Sequence, residues 1–263
     1  MNNILTKICE DKKLEIEILK KKCSLKSLKK LVSDKIIKRD FKSNILNSSV
    51  EKKNFIIGEI KKASPSAGEI INNYEPVEIA KIYERAGAKA ISILTEKNYF
   101  KGEIDHLSFI KQNTNIPILR KDFIIDEYQI YESKFYRADA ILFIASILSQ
   151  KQLNDFVLLA KKIDLECLVE VHNLNELEKA LTTPARIIGI NNRNLNDFSV
   201  DINTTLNLIK NIPDHVLKVS ESGIFNKNDI SVLGNVGCNA VLIGEAIITS
   251  DDPYKKIIEL TND

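Results

Sequence analysis

A chain of 263 residues that is 44% apolar and 28% charged has the composition of a globular protein with a sizeable core, which excludes a disordered or low-complexity chain. A formal net charge of +2 excludes wholesale nucleic-acid binding through a basic surface and leaves any anion specificity to a local pocket. Cys9, Cys23, Cys167 and Cys238 lie far apart with no CxxC pair or metal-ligand spacing, so they read as reduced cysteines of a cytoplasmic protein.

The first 50 residues look helical, in "LTKICEDKKLEIEILKKK" and then "SLKSLKKLVSDKI". Charges interrupt their apolar positions, so there is no h-region for a signal peptide, and no stretch approaches the ~20 apolar residues of a membrane span. The lysine clusters "KKKC" and "KSLKK" read as solvated helix faces. No Gly/Ser-rich linker follows, so residues 1–50 are expected to pack on the rest of one domain spanning 1–263.

Eight short apolar runs come next: "FIIGEI" (55–60), "AISIL" (90–94), "IPILR" (116–120), "AILFIA" (140–145), "CLVEV" (167–171), "IIGIN" (187–191), "VLKVS" (216–220) and "AVLIG" (240–244). Rich in branched residues and too short for independent helices, they read as buried parallel strands. Helical periodicity separates them. "PVEIAKIYERAG" places Pro76 in a first helical turn and Gly87 at the stop, and "SQKQLNDFVLLAKKID" offers Ser149 as an N-cap. "GAKAISIL" from Gly87, "RADAILFI" from Arg137 and "GCNAVLIG" from Gly237 repeat at a spacing of about one strand–helix pair per twenty-five residues. Eight strands alternating with helices predict an α/β fold, a (β/α)8 TIM barrel with an N-terminal helical extension; a doubly wound sheet is the alternative.

Barrel chemistry sits at the C-terminal ends of strands, and polar residues recur there. Strand one ends in Glu59 and Lys61, on one strand face with Ile57, whereas Ile56, Gly58 and Ile60 take the other. Strand three ends in Arg120, Lys121 and Asp122. Glu170 lies in strand five, followed by His172, which reads as a supporting residue. Strand six ends in Asn191, Asn192 and Arg193, strand seven in Glu221, Ser222 and Gly223, and strand eight in Gly244 and Glu245. Charges taken into a barrel cost several kcal/mol unless partnered, so six strands ending this way point to a ligand. The glycines after strands seven and eight suit a phosphate held by main-chain amides. There is no GxGxxG, P-loop, HExxH or GxSxG motif, which leaves dinucleotide, Walker-type, zinc and serine-hydrolase chemistry without support.

"GEIKKASPSAGEI", "SILTEKNYFKGEIDHL", "ILRKDFIIDEYQI", "LVEVHNLNELEKAL", "IGINNRNL", "SESGI" and "LIGEAI" together resemble the successive motifs of the indole-3-glycerol phosphate synthases, in order from about residue 50 to 250. The resemblance implies a cofactor-free and metal-free enzyme of tryptophan biosynthesis. Such an enzyme closes the ring of 1-(2-carboxyphenylamino)-1-deoxyribulose 5-phosphate with loss of carbon dioxide and water. It further implies Lys121 as general acid at the ketone, Glu170 as general base or charge stabiliser, Lys61 on the anthranilate carboxylate with Glu59 beside it, and Asn191 and Arg193 as orienting groups. Glu221 and Ser222 would line the pocket, Ser64 would lie in its first loop, and Phe100 and Phe123 would enclose the aromatic ring. Ser222, Gly223, Gly244 and Glu245 would surround the phosphate. Which of Lys61, Lys121, Glu59 and Glu170 performs each proton transfer stays open. Arg137 and Glu127 depart from the glycine and proline usual in the family, which bears on local turns. The expected partner is a phosphorylated small molecule, not nucleic acid or membrane, and the expected state is a cytoplasmic monomer. The competing readings are another phosphate-binding barrel, such as phosphoribosylanthranilate isomerase or a Schiff-base aldolase using Lys121 or Lys61, and a catalytically silent barrel.

Overall fold

The computed structural model describes residues 4–32, 38–50, 55–71, 73–195 and 197–261. Its barrel strands are β1 (Ile56–Ile60), β2 (Ala90–Leu94), β3 (Ile118–Lys121), β4 (Ala140–Ile144), β5 (Glu166–Val171), β6 (Ile187–Asn191), β7 (Leu217–Glu221) and β8 (Ala240–Ile243). Each pairs in parallel with its sequence neighbours, and β8 closes on β1 through Ile57↔Leu242 and Gly58↔Ile243. The third run starts later than its apolar pattern suggests, because Pro117 has no amide hydrogen to give a ladder. The fourth stops at Ile144, where Ala145–Ile147 tighten into a 3-10 turn.

The strands read as continuous apolar runs because both faces are covered. Ile57, Leu119, Leu142, Leu168, Ile187, Leu217, Val219 and Leu242 pack together inside the barrel. Ile56, Ile60, Ile93, Ile141, Phe143, Val169, Ile188 and Val241 face outward, against Tyr83, Leu107, Ile130, Leu153, Leu177 and Leu233 of the surrounding helices. Gly58 faces outward as expected, and a Cβ there would lie 2.4 Å from the Tyr83 ring. Continuing the inward parity past each apolar core brings Glu59, Lys61, Lys121, Glu170, Asn191, Glu221 and Gly244 to one end of the barrel.

Helix stops explain the repeat found in the sequence. After α4 (Pro76–Arg85), α6 (Glu127–Phe135) and α10 (Lys227–Asn235), residues Gly87, Arg137 and Gly237 take left-handed φ of 99°, 67° and 90°. In each, the amide of the next residue reaches back to the final helical turn: Ala88 to Tyr83, Ala138 to Ser133 and Cys238 to Leu233, at 2.9–3.0 Å. These are Schellman turns. Arg137 adopts the same turn as the glycines without being one. Ser149 caps α7 (Gln150–Lys162) in a box with Gln152, as its sequence suggests.

Among the described residues, three helices precede the barrel, α1 (Ile4–Lys22), α2 (Leu25–Leu31) and α3 (Phe41–Val50); positions 33–37 of the expected second helix lie outside the described residues. Arg39, just before α3, fastens to the N-terminal end of the barrel, donating to the Ile116, Lys111 and Thr114 carbonyls. Helix α1 fastens to the opposite end. Its Lys12 Nζ lies 3.2 Å from Asp122 Oδ1, directly after β3, and Tyr99 Oη donates to Asp11.

Candidate active site

Lys121 is the centre of the polar cluster at the C-terminal end of the strands. Its Nζ lies 2.8 Å from Glu221 Oε2, 3.2 Å from Glu59 Oε2 and 3.8 Å from Glu170 Oε2. The other oxygen of Glu59 accepts from Lys61 Nζ at 2.7 Å. Three carboxylates from β1, β5 and β7 therefore converge on an ammonium from β3. Burial alone would lower the Lys121 ammonium, but Glu221, Glu59 and Glu170 outweigh it and hold the proton far above the ordinary lysine value.

The carboxylates are not equivalent. Burial would raise Glu59, yet Lys61 and Lys121 keep it ionised down to about 2. Burial would raise Glu170 as well, and His172 and Lys121 bring it to about 2, with a smaller contribution from Asn191. Glu221 goes the other way: burial, reinforced by the charges of Glu170 and Glu59, raises it to about 7 although Lys121 opposes the rise. Like charges crowded around one cation separate the proton affinities of groups that are alike in isolation.

Two glycines make room for this cluster. A Cβ on Gly189 would lie 2.2 Å from Glu221 Oε1, and one on Gly244 would lie 2.4 Å from Glu59 Oε1. Gly244 was expected only as a phosphate contact; its missing side chain also leaves space for a carboxylate. Ser222 and Gly223 have consecutive left-handed φ of 65° and 73°, a turn directly after β7. Asn192 fixes this turn. Its Nδ2 donates to the Ser222 carbonyl at 2.9 Å and to Ser220 Oγ at 3.0 Å, while its Oδ1 accepts from the Thr205 amide at 3.0 Å.

A cavity opens above the cluster. Its wall includes Glu59, Lys61, Ser64, Phe100, Lys121, Phe123, Glu170, Asn191, Arg193, Ser222 and Glu245. Gly223 and Gly244 border an adjoining recess that shares Lys61, Arg193, Ser222 and Glu245. Phe100 and Phe123 form one wall with ring centroids 6.1 Å apart. The loop carrying Phe100 is held by Glu96, whose carboxylate accepts from the amides of Asn98, Tyr99 and Phe100.

The model of the indole-3-glycerol phosphate synthase family matches residues 5–260. The chain belongs to the indole-3-glycerol phosphate synthase family. An indole-3-glycerol phosphate synthase of Thermoanaerobacter pseudethanolicus is 46% identical over 260 residues, which are 99% of this chain and 98% of the relative. One of Caldanaerobacter subterraneus subsp. tengcongensis is 50% identical over 250 residues, 95% and 94% of the two chains. One of Clostridium acetobutylicum is 47% identical over 258 residues, 97% and 96%. The fold is shared more widely: the thiamine phosphate pyrophosphorylase of Pyrococcus furiosus matches with a TM-score of 0.59 at 17% identity, over 80% of this chain and 94% of that one.

The structure brings the residues singled out from the synthase motifs to this one end of the barrel, but Glu221, expected to line the pocket, lies fully buried beneath it and outside its wall, because it packs against Lys121. It also divides the polar strand ends by role. Arg120 enters a buried network away from the cavity, with Asp122 Oδ2 at 3.1 Å and Glu132 Oε2 at 2.9 Å, and Asp122 joins that network while also bordering the cavity. Arg193 pairs with Glu245 at 3.0 Å across the mouth, a contact between two residues that the sequence offered separately. Lys62, of the opposite parity to Lys61, pairs with Glu69 away from the cluster at 3.1 Å. No sequence signal marks Gly189 or Lys12, and Asn192 is legible only as a polar strand end, not as the hub that its bonds make. No helix of the described residues is long and apolar enough to cross a membrane.

Proposed function

We propose that the chain converts 1-(2-carboxyphenylamino)-1-deoxyribulose 5-phosphate into indole-3-glycerol phosphate, carbon dioxide and water, and that the Lys121 cluster does the proton work. The observation that carries this reading is the single ammonium held by three carboxylates beneath an aromatic-walled cavity. An ammonium so held is a proton donor and not a free amine, which suits acid catalysis at a ketone and disfavours the Schiff-base aldolase alternative.

The steps follow from charge and position. Lys121 donates its proton to the ketone oxygen as the ring carbon bearing the carboxylate attacks the ketone carbon, forming the new carbon–carbon bond. Loss of carbon dioxide returns the bond electrons to the ring and restores aromaticity. The hydroxyl formed in the first step then leaves as water, taking a proton from Lys61, or from Lys121 once solvent has returned the proton it gave, and Glu170 or Glu59 removes the proton that completes the indole. Lys61 holds the anthranilate carboxylate until it departs. The Ser222–Gly223 turn and Gly244 receive the phosphate, with Arg193 and Asn191 orienting the chain between the two anionic ends.

We read residues 1–263 as one domain acting as a cytoplasmic monomer on this phosphorylated small molecule, without a metal or cofactor and without nucleic-acid or membrane partners. Light scattering of the purified protein tests the monomer. Formation of a fluorescent indole product without added metal or nucleotide tests the reaction, and an adduct trapped by borohydride in the presence of substrate would favour the aldolase instead.

A further inference from the structure

We propose that His172 is a positioning residue that aims Glu170 at the reacting centre and keeps it ionised, through an imidazolium clamped between two carboxylates. The inference rests on the reading in which Glu170 handles a proton or developing charge of the substrate.

His172 follows Glu170 by two positions at the end of β5, so the two share the inward face. Its Nε2 lies 3.3 Å from Glu170 Oε1, and its Nδ1 lies 3.0 Å from Glu176 Oε2. Glu176 is itself immobilised. Its Oε2 also accepts from the His172 amide at 2.8 Å, its Oε1 accepts from Asn173 Nδ2 at 2.7 Å, and its amide is capped by Asn173 Oδ1 at the start of α8 (Leu174–Leu181). The ring is therefore fixed from behind and cannot turn away from Glu170 without losing a hydrogen bond.

Both ring nitrogens face carboxylate oxygens. A neutral imidazole would present a lone pair to one of them, whereas the imidazolium pairs through Nδ1 with Glu176 and sets positive charge 3.3 Å from Glu170 Oε1, an ion pair without an aligned hydrogen bond. Burial lowers the affinity of the ring for its second proton, but Glu170 and Glu176 outweigh it and bring His172 up to about 10. The other charged groups facing this region are Lys121 of β3, beyond Glu170, and Arg193 and Asp201 across the polar cavity that His172 borders.

The consequence falls on the two oxygens of Glu170. Oε1 is ion-paired with His172, whose buried Nε2 makes no aligned hydrogen bond to it. Oε2 is buried, has no hydrogen-bond partner among the described residues and points toward Lys121 at 3.8 Å. One oxygen thus faces the imidazolium charge and the other is an open acceptor, the arrangement that a general base or charge stabiliser needs.

The test compares turnover of the carboxyphenylamino ketose phosphate by the full-length wild type, His172→Gln and His172→Ala across the acid limb of the pH profile. Glu170→Gln is measured in parallel, and the imidazole titration of wild-type His172 is followed by NMR. His172→Ala is expected to lower kcat about tenfold to a hundredfold with KM nearly unchanged, and to move the acid limb of kcat to higher pH. His172→Gln, which keeps a donor toward Glu170 but no charge, is expected to recover part of kcat while keeping the displaced limb. The wild-type ring should remain protonated through neutral pH whatever the fate of the variants. An unchanged kcat and acid limb in both variants, or a wild-type ring that loses its proton below neutrality, would overturn the clamp. If those results came with an inactive Glu170→Gln, the role of Glu170 would stand and the clamp alone would fall; an active Glu170→Gln would overturn the reading beneath it.

Discussion

Lys121 and Glu221 face each other across the barrel mouth, from β3 and β7, with Nζ and Oε2 2.8 Å apart. The contact is unequal. The lysine is held in its charged form by three carboxylates, while its nearest partner is raised to about 7 by burial and by Glu170 and Glu59. A pair built for stability would have both groups firmly ionised, so this one marks a site where proton affinity is shaped by crowding.

Replacing Lys121 by Met removes the proton donor while keeping side-chain length. Turnover is expected to fall about a thousandfold, within the range lost with a general acid. The melting temperature is expected to fall more at about pH 8 than at about pH 5, because carboxylates that have lost their shared cation can be relieved only by protonation. Steady-state kinetics with thermal melts at both pH values check this; a turnover within threefold of wild type would remove Lys121 from the acid role.

Glu221 carries a second pH signature. Its folded-state proton affinity is raised, so its contribution to stability is fully present below the ordinary glutamate value of 4.5 and is lost as the pH rises through about 7. Glu221→Gln, which stays neutral, is therefore expected to be more stable than wild type above neutrality and to converge with it in mild acid, while turning over more slowly. Equal gaps at all pH values would show that Glu221 is ionised throughout.

Gly189→Ala places a Cβ 2.2 Å from Glu221 Oε1 and 2.6 Å from Leu168 Cδ2. The carboxylate must move away from Lys121, so activity is expected to drop about a hundredfold and stability by about 1–3 kcal/mol. Paired denaturation and kinetic measurements test this, and a fully active variant would show that the Glu221 position is not needed.

Arg137→Gly is the opposite kind of change. Arg137 holds φ at 67° in a turn where its two counterparts are glycines. Relief of the left-handed strain, offset by the greater freedom of glycine in the unfolded chain, is expected to raise stability by about 1 kcal/mol with turnover unchanged. A chemical-denaturation midpoint at or below that of wild type would contradict this.

Much of the site is legible from parity. Once β1 is read as a strand, Glu59 and Lys61 must share the face of Ile57, and the same counting carries Lys121, Glu170 and Asn191 to one end of a closed sheet. What parity cannot supply is the side chain that reaches in from elsewhere. Lys12 comes from a helix more than one hundred positions before its partner Asp122, and its sequence neighbours look like an ordinary solvated face. Gly189 looks like a weak point in a strand, and its purpose appears only when the Glu221 carboxylate on the adjacent strand is in place. Asn192 is adjacent to the inward-facing Asn191 but has the opposite parity, so only its bonds to Ser220, Ser222 and Thr205 reveal that it shapes the anion turn. The separation of Glu221 from Glu59 and Glu170 in proton affinity depends on distances among three strands, which no local sequence pattern encodes.

The measurement that bears most directly on the central claim is turnover of 1-(2-carboxyphenylamino)-1-deoxyribulose 5-phosphate by the purified, folded protein, followed by indole fluorescence. The account predicts a fluorescent indole-3-glycerol phosphate product formed with release of carbon dioxide, and its loss in Lys121→Met. Folded wild-type protein that binds this substrate and yields no indole product would contradict it.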